Sequence, residues 1–325
     1  MKGFQLIATG GALPGRTVTN EELSRTVDTS DAWITSRTGI RTRHWCTADE
    51  SAATLAIAAA KQALQRSGLA PADIACCVCA TLSAPDATPS VACQVQAALG
   101  LPENRPALDV NAACSGFLYG TAVARGLLAT LGGQYALVIG CEALSRLMDP
   151  ADRSTCVLFG DGAGAAVVDG GEGGLMATLL TSQGDATHLN MYPDPGNSPF
   201  ATSRVPARAL HMDGPEIYKF AVSHSVSDLR AVCEKAGVAL DDIDHFLLHQ
   251  ANKRIIDAAR ARLKQPIEKF PMNVEVRGNT SSASVPILLD EVNRAGRLHA
   301  GDKLAMSAFG AGLTTGACVL TWTKE

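Results

Sequence analysis

The chain has 325 residues, 46% apolar and 5% aromatic, with 28 basic against 32 acidic side chains. That is ample material for a large buried core. The net charge of −4 argues against general affinity for nucleic acid, whose phosphates call for a clustered positive field.

The N-terminal MKGFQLIATGGALPG has one lysine and a short apolar stretch, so no signal peptide is expected. No run approaches the roughly 18 apolar residues of a membrane span. The ten cysteines mostly sit inside apolar runs, which reads as small buried hydrophobes in a reducing, cytoplasmic setting. SAATLAIAAAKQALQRSG, ending at Gly68, predicts a helix, and ACCVCATL after it predicts a short strand. Cys76-Cys77-Val78-Cys79 holds a C-x-x-C spacing without a second pair, so neither zinc nor redox use is expected.

ALDV predicts the next strand. From Ser115 the spacing of Phe117, Leu118, Val123, Leu127 and Leu128 is helical. Cys114 therefore falls at a strand-to-helix junction, where unpaired N–H groups and the helix dipole are expected to lower a thiol pKa and make an acyl acceptor. YALVIGC predicts a further strand. Gly160-Asp161-Gly162-Ala163-Gly164 is followed by apolar AAVV and not by a helix, so it is no dinucleotide loop. About His188 to Leu210 the chain is rich in Pro, Asn, Ser and Asp, a long surface excursion of the kind that builds binding sites.

In the second half VSDLRAVCEKAG predicts a helix ending at Gly237, and HFLLHQ a strand with His249 at its exit. Strand exits of open α/β sheets face ligand sites. EVRGNTSSASVPILLDEV places Asn279 in a tight turn, with Thr280–Ser284 expected to cap the helix that follows. Phe309-Gly310-Ala311-Gly312 offers backbone N–H groups for an oxyanion. Taken singly, His249 and Asn279 also read as a structural histidine and a turn-former.

The halves repeat. Gly68 aligns with Gly237 at an offset of 169, and Val138 with Met306 at 168. Helix–strand alternation in each implies helix-covered parallel sheets, so residues 1–172 and 173–325 are expected to form two similar α/β halves about a pseudo-dyad.

ACSGF at Cys114, HQANKRI at His249, GNTSSASVP at Asn279 and FGAGLTTGA at Phe309 together resemble the β-ketoacyl-acyl-carrier-protein synthase III family, as do WITSRTGIRTRH and DRSTCVLFGDGAGA, in order over essentially the whole chain. The resemblance implies a thiolase-like α/β fold, layered αβαβα. It implies a decarboxylative condensation of an acyl-CoA primer with malonyl-acyl carrier protein that starts fatty-acid synthesis. It makes Cys114 the nucleophile, His249 and Asn279 the condensation pair, and the N–H groups of Cys114 and Ala311 an oxyanion hole. Trp33, Arg37 and Arg153 match CoA contacts, and Met212 and Gly214 the pantetheine tunnel. Thr88 stands where some relatives carry an aromatic closing the acyl pocket, usually from the partner subunit, so the pocket bordered by Thr88 and Phe309 is expected to take longer or branched primers. Lys253 to Lys264 carries five basic residues and one acid. Lys253, Arg260 and Lys264 are expected on one helix face which, with Arg254 and Lys219, would meet an acidic carrier protein. The implied protein needs no metal or bound cofactor and is a homodimer. A related condensing enzyme or acyltransferase of secondary metabolism, and a cysteine thioester hydrolase, are the alternatives.

Overall fold

The computed structural model describes residues 3–192 and 208–324. The chain begins β1 (Gln5–Ala12), β2 (Arg16–Thr19), α1 (Asn20–Leu23), α2 (Asp31–Thr38), β3 (Thr42–Trp45), α3 (Ala52–Ser67), β4 (Ile74–Ala80), α4 (Val91–Leu99), β5 (Ala107–Val110), α5 (Gly116–Leu131), β6 (Tyr135–Glu142) and β7 (Gly162–Asp169). It continues β8 (Leu175–Asp185), β9 (Leu189–Tyr192), β10 (Arg208–Met212), α6 (Gly214–Ala236), β11 (His245–Leu248), α7 (Lys253–Leu263), α8 (Val274–Arg277), α9 (Ser284–Arg294), β12 (Lys303–Gly310) and β13 (Gly312–Thr321).

One sheet has the order β1-β7-β6-β4-β5 and another β11-β12-β13-β8. In the first, β4–β6 is parallel while β6–β7 and β7–β1 are antiparallel. The second repeats that pattern: β11–β12 is parallel while β12–β13 and β13–β8 are antiparallel. β6 and β12 are each eight residues long, and they start 168 residues apart. The two aligned glycines end α3 and α6 in the left-handed region, with φ of +73° at Gly68 and +68° at Gly237, a conformation that glycine adopts without a Cβ penalty.

Period-two alternation explains the layering. On one face of the first sheet Val78, Val138 and Ala166 join Phe117 and Leu118 of α5, Leu288 and Val292 of α9, and Leu304 and Met306 of the second sheet in a single core. The alternate residues Cys79, Leu137, Ile139 and Val167 pack outward on α3 and α4. On the second sheet Phe246, Leu248 and Val319 pack outward on α6 and α7. The order is helices, sheet, α5 with α9, sheet, helices. Strands covered on both faces need no polar side, and β4 is buried along its whole length.

The excursion after His188 begins and ends as the β9–β10 ladder, in which Leu189 pairs with Met212. Residues 193–207 of the expected loop lie outside the described residues. Among those described, no helix is long and apolar enough to cross a membrane.

Candidate active site

Two matching turns meet at the centre of the molecule. After β5, Asn111 Oδ1 accepts from the Ala113 N–H at 3.1 Å. Ala113 has φ +46°, and a 3₁₀ turn at Ala113–Ser115 leads into α5. In the second half Asn279 Oδ1 accepts from the Ser281 N–H at 2.8 Å. Ser281 has φ +49°, and a 3₁₀ turn at Ser281–Ala283 leads into α9. The two turns are also 168 residues apart, so Cys114 and Ser282 are counterparts. A left-handed non-glycine residue costs about 1–2 kcal/mol, so both turns are held from outside. Thr314 Oγ1 donates to Ala112 O at 3.0 Å. Each turn also presses on a strand glycine of the other half: a Cβ on Gly310 would lie 2.6 Å from Cys114 N, and one on Gly140 2.2 Å from Ser282 O.

His249 follows β11, its N–H donating to Ser307 O at 2.8 Å. It is 2% exposed, with its ring edge-on to Phe309 at 5.1 Å. Its Nδ1 lies 3.0 Å from Ser284 Oγ, which already accepts from the Gln250 N–H at 2.7 Å. With the Ser284 hydroxyl donating to Nδ1, the imidazole proton sits on Nε2. Asn279 is oriented by similar logic. Its amide oxygen is occupied by Ser281, so its NH₂ is the end offered to the cavity.

Burial, with no compensating partner, holds His249 down at about 3, so it is a neutral donor at physiological pH. Burial pushes the Cys114 thiol up to about 12, against hydrogen bonds from Ser281 and its own amide, and Glu142 pushes it further the same way. The lowered thiol pKa expected from the helix N-terminus is thus corrected: desolvation outweighs the hydrogen bonds from Ser281 and the Cys114 amide. The expected hydroxyl cap is absent too, since the N-cap of α9 is Ala283 without a side-chain hydrogen bond. Ser281 and Ser282 turn to Glu142 instead, and Ser284 to His249. The residues missed by sequence reasoning are therefore Ser284 and Glu142. The hydroxyl run GNTSSAS was the signal for the first, and nothing local marked the second.

The His249 environment predicts an acid sensitivity. The unfolded imidazole takes up a proton near 6.5 while the folded one stays neutral to about 3, so the unfolded state binds more protons as pH falls below 6.5 and stability drops. Between pH 7.5 and 5 the contribution is about 2 kcal/mol. Glu142, raised by burial to about 7, acts with the opposite sign over this range. The check is therefore a difference: in urea titrations wild type should lose about 2 kcal/mol relative to His249→Gln between those pH values. Equal pH dependence of the two would contradict the neutral imidazole.

Cys114, His249, Asn279, Phe309 and Ala311 line one cavity of about 570 Å³, and Trp33, Arg37, Arg153, Met212, Gly214 and Lys219 line the same space. Its charged side chains Arg37, Arg153, Lys219 and Arg254 are exposed while His249 and Asn279 are buried, so the cavity runs from a basic mouth to the two turns. The guanidinium carbons of Arg37 and Arg153 lie 4.7 and 5.2 Å from the Trp33 ring centroid. Arg153 also donates to Asp28 O at 2.9 Å.

Thr88 does not line this cavity. It lies on an exposed loop over a separate depression beside β5, with Asp86 and Asn111, because the chain leaves the sheet after Ala80. Lys253, Arg260 and Lys264 also lie outside it, and the expected single basic face is corrected. α7 ends at Leu263, with Lys264 beyond it at φ +58°. Lys253 and Arg260 are half-buried, because their side of α7 leans on the protein. Lys253 pairs with Asp257 at 3.1 Å, whereas Arg254 is exposed over Tyr218.

Residues 108–184 match the family model described as 3-Oxoacyl-[acyl-carrier-protein (ACP)] synthase III, and residues 233–322 match the model of its C-terminal region. A beta-ketoacyl-[acyl-carrier-protein] synthase III of Rhizorhabdus wittichii is 45% identical, over 99% of this chain and 100% of its own. The crystal structure of a 3-oxoacyl-[acyl-carrier-protein] synthase III from Aquifex aeolicus superposes with a TM-score of 0.91 at 40% identity, covering 98% of this chain and 100% of that one. The priming beta-ketosynthase of the R1128 polyketide pathway gives 0.91 at 34% identity, over 99% of this chain and 97% of its own.

Proposed function

The chain belongs to the 3-oxoacyl-[acyl-carrier-protein] synthase III family, and from that premise we propose how its residues divide the work. Its layers are those of the thiolase-like fold. The activity is that of an acyltransferase: condensation of an acyl primer with malonyl-acyl carrier protein, initiating fatty-acid synthesis. The observation that carries the residue roles is the convergence of Cys114, a neutral Nε2–H His249 and an outward Asn279 NH₂ on one cavity.

We take acyl-CoA as the first substrate, its phosphates met by Arg37 and its adenine held between Trp33 and Arg153, with pantetheine running past Met212 and Gly214. The Cys114 sulfur attacks the primer carbonyl, and its proton leaves with the CoA thiolate as free CoA. The N–H groups of Cys114 and Ala311 hold the oxyanion. Malonyl-acyl carrier protein then binds, with Arg254 and Lys219 beside its route and Lys253, Arg260 and Lys264 further out. Loss of CO₂ leaves an electron pair on C2 and charge on the thioester oxygen, where His249 Nε2–H and Asn279 Nδ2–H donate. The carbanion attacks the acyl-Cys114 carbonyl, the C–S bond breaks, and the Cys114 thiolate takes a proton from water. No step calls for a metal or redox cofactor.

A second copy of the chain is part of this reading. Thr88 and the edge of β5 face outward, so Thr88 can reach an acyl pocket, alongside Phe309, only in a partner. The halves 1–172 and 173–325 and a cytoplasmic location complete it. A priming role in secondary metabolism is the second reading, favoured by the 34% likeness to the R1128 priming enzyme.

The test is intact-mass spectrometry with acetyl-, isobutyryl- and hexanoyl-CoA, followed by malonyl-acyl carrier protein. One acyl adduct per chain is expected, converted to a 3-oxoacyl carrier protein, with isobutyryl or hexanoyl accepted at least as well as acetyl. Strong preference for acetyl would overturn the Thr88 reading. An adduct released as free acid would favour a hydrolase, and no adduct would overturn the assignment of Cys114.

A further inference from the structure

The most unusual group near the site has no part in the steps above. Glu142, the last residue of β6, is 0% exposed and has no cation within salt-bridge distance among the described residues. Five donors surround it. Oε2 accepts from Ser83 Oγ at 2.5 Å, the Leu82 N–H at 3.2 Å and Thr81 Oγ1 at 3.4 Å. Oε1 lies 2.7 Å from Ser282 Oγ and 3.3 Å from Ser281 Oγ.

Burial favours the neutral acid and hydrogen bonds from Ser83, Ser282, Leu82 and Ser281 favour the ionised carboxylate, and the hydroxyl of Ser282 tells the two states apart. It has one proton and two acceptors, Ala80 O at 2.9 Å and Glu142 Oε1 at 2.7 Å. If Glu142 is ionised the proton serves only one of them. If Glu142 is a neutral acid protonated on Oε1, it donates to Ser282 Oγ and Ser282 donates to Ala80 O, so both contacts are made. Burial moves Glu142 in the same direction, up to about 7. This chain joins the ends of β4 and β6 to the turn that carries Asn279. Ser282 also packs against the base of the nucleophile's helix, where a Cβ on Gly116 would meet it at 3.2 Å.

We propose that Glu142, as a neutral carboxylic acid, is a positioning residue for the condensation step, holding Ser281–Ser282 and hence Asn279 in register with Cys114. This rests on the reading of Asn279 above. When Glu142 ionises, the Ser282 proton is drawn off Ala80 O. A buried negative charge then sits close to Cys114, the ionisable group that faces it, and opposes the enolate charge that develops in the same cavity. Condensation should fall relative to acylation as pH rises through about 7.

Glutamine mimics the neutral acid. Its oxygen can accept from Leu82 and Ser83 while its NH₂ donates to Ser282. In single-turnover condensation of pre-acylated enzyme with malonyl-acyl carrier protein, Glu142→Gln should stay within about threefold of wild type at pH 6 and lose the fall above pH 7. Glu142→Ala should be slowed at least tenfold, with the rate of Cys114 acylation nearly unchanged. Should Glu142→Ala not fold, Ser282→Ala, which removes only the relay, should slow condensation several-fold and shift the alkaline fall. An unchanged fall in Glu142→Gln, or equal losses of acylation and condensation in Glu142→Ala, would overturn the proposal. Asn279→Ala run in parallel separates the two readings: if it condenses normally, the role of Asn279 fails; if it is slow while the Glu142 and Ser282 variants match wild type, only the role of Glu142 fails.

Discussion

Cys114→Ala is expected to abolish the acyl adduct and to lower condensation by at least about 10⁴-fold while the fold survives. The magnitude follows from what the thiol supplies. Losing a covalent nucleophile costs about 10⁶-fold where it has been measured, and holding the acyl carbonyl at a fixed distance from the carbanion is worth several kcal/mol in avoided translational entropy. The side chain change is small, the loss of one sulfur atom, so stability should move little. Mass spectrometry checks the adduct, and circular dichroism checks the fold. The thiol itself predicts a pH signature. Since burial raises it to about 12, alkylation by iodoacetamide should climb about tenfold per pH unit from pH 7 to 9. A thiol activated by the helix N-terminus would instead level off in that range. An adduct on the alanine variant, or a plateau near neutrality, would place the chemistry or its activation elsewhere.

What was legible in the sequence were features whose cause is local. Gly68 and Gly237 announce helix ends because only glycine enters the left-handed region cheaply, and their spacing exposed the repeat. Nearly the same offset, 168 in place of 169, runs on through the turns at Asn111 and Asn279 and through β6 and β12. Those turns were hard to align by eye, because NAACSG and NTSSAS share little beyond the leading asparagine that closes each turn. What stayed hidden were properties set by packing between distant segments. The Cys114 thiol was read from its helix terminus, yet its pKa is set by the walls that close over it. Ser281, Ser282 and Ser284 look like capping residues, but the two halves meet there and offer Glu142 and His249 as partners. Lys264 fits a helical spacing with Lys253 and Arg260, yet the helix stops one residue earlier. Thr88 matches a pocket position in a family pattern, while its own chain carries it to an exposed edge. The charge of Glu142 would have argued for the surface, and only the topology shows that the strand buries it.

Asn279→Ala is expected to slow condensation by 10²–10³-fold, the loss of about 3 kcal/mol typical of one oxyanion-hole donor, with Cys114 acylation changed by less than about threefold. The asymmetry is the useful part. The thiol attacks before any enolate exists, so a group that donates only to enolate oxygen is silent in the first half-reaction. The structure adds a sharper test in Asn279→Asp. Asn279 Oδ1 is committed to the Ser281 N–H, and aspartate can keep that bond, so the turn should survive. The other carboxylate oxygen then takes the place of the NH₂ and presents an acceptor, and a charge, where the enolate needs a donor. Aspartate should therefore be no better than alanine in condensation despite the better preserved turn. If the asparagine were merely a turn-former, the order would reverse and aspartate would be near wild type. His249→Ala should show a loss of the same kind. Because both donors serve one oxygen, the double variant should fall short of the sum of the two single losses in free energy. Single-turnover rates for wild type and the four variants, each pre-acylated to the same extent, read all of this in one experiment, and full additivity would mean that the two side chains stabilise different charges.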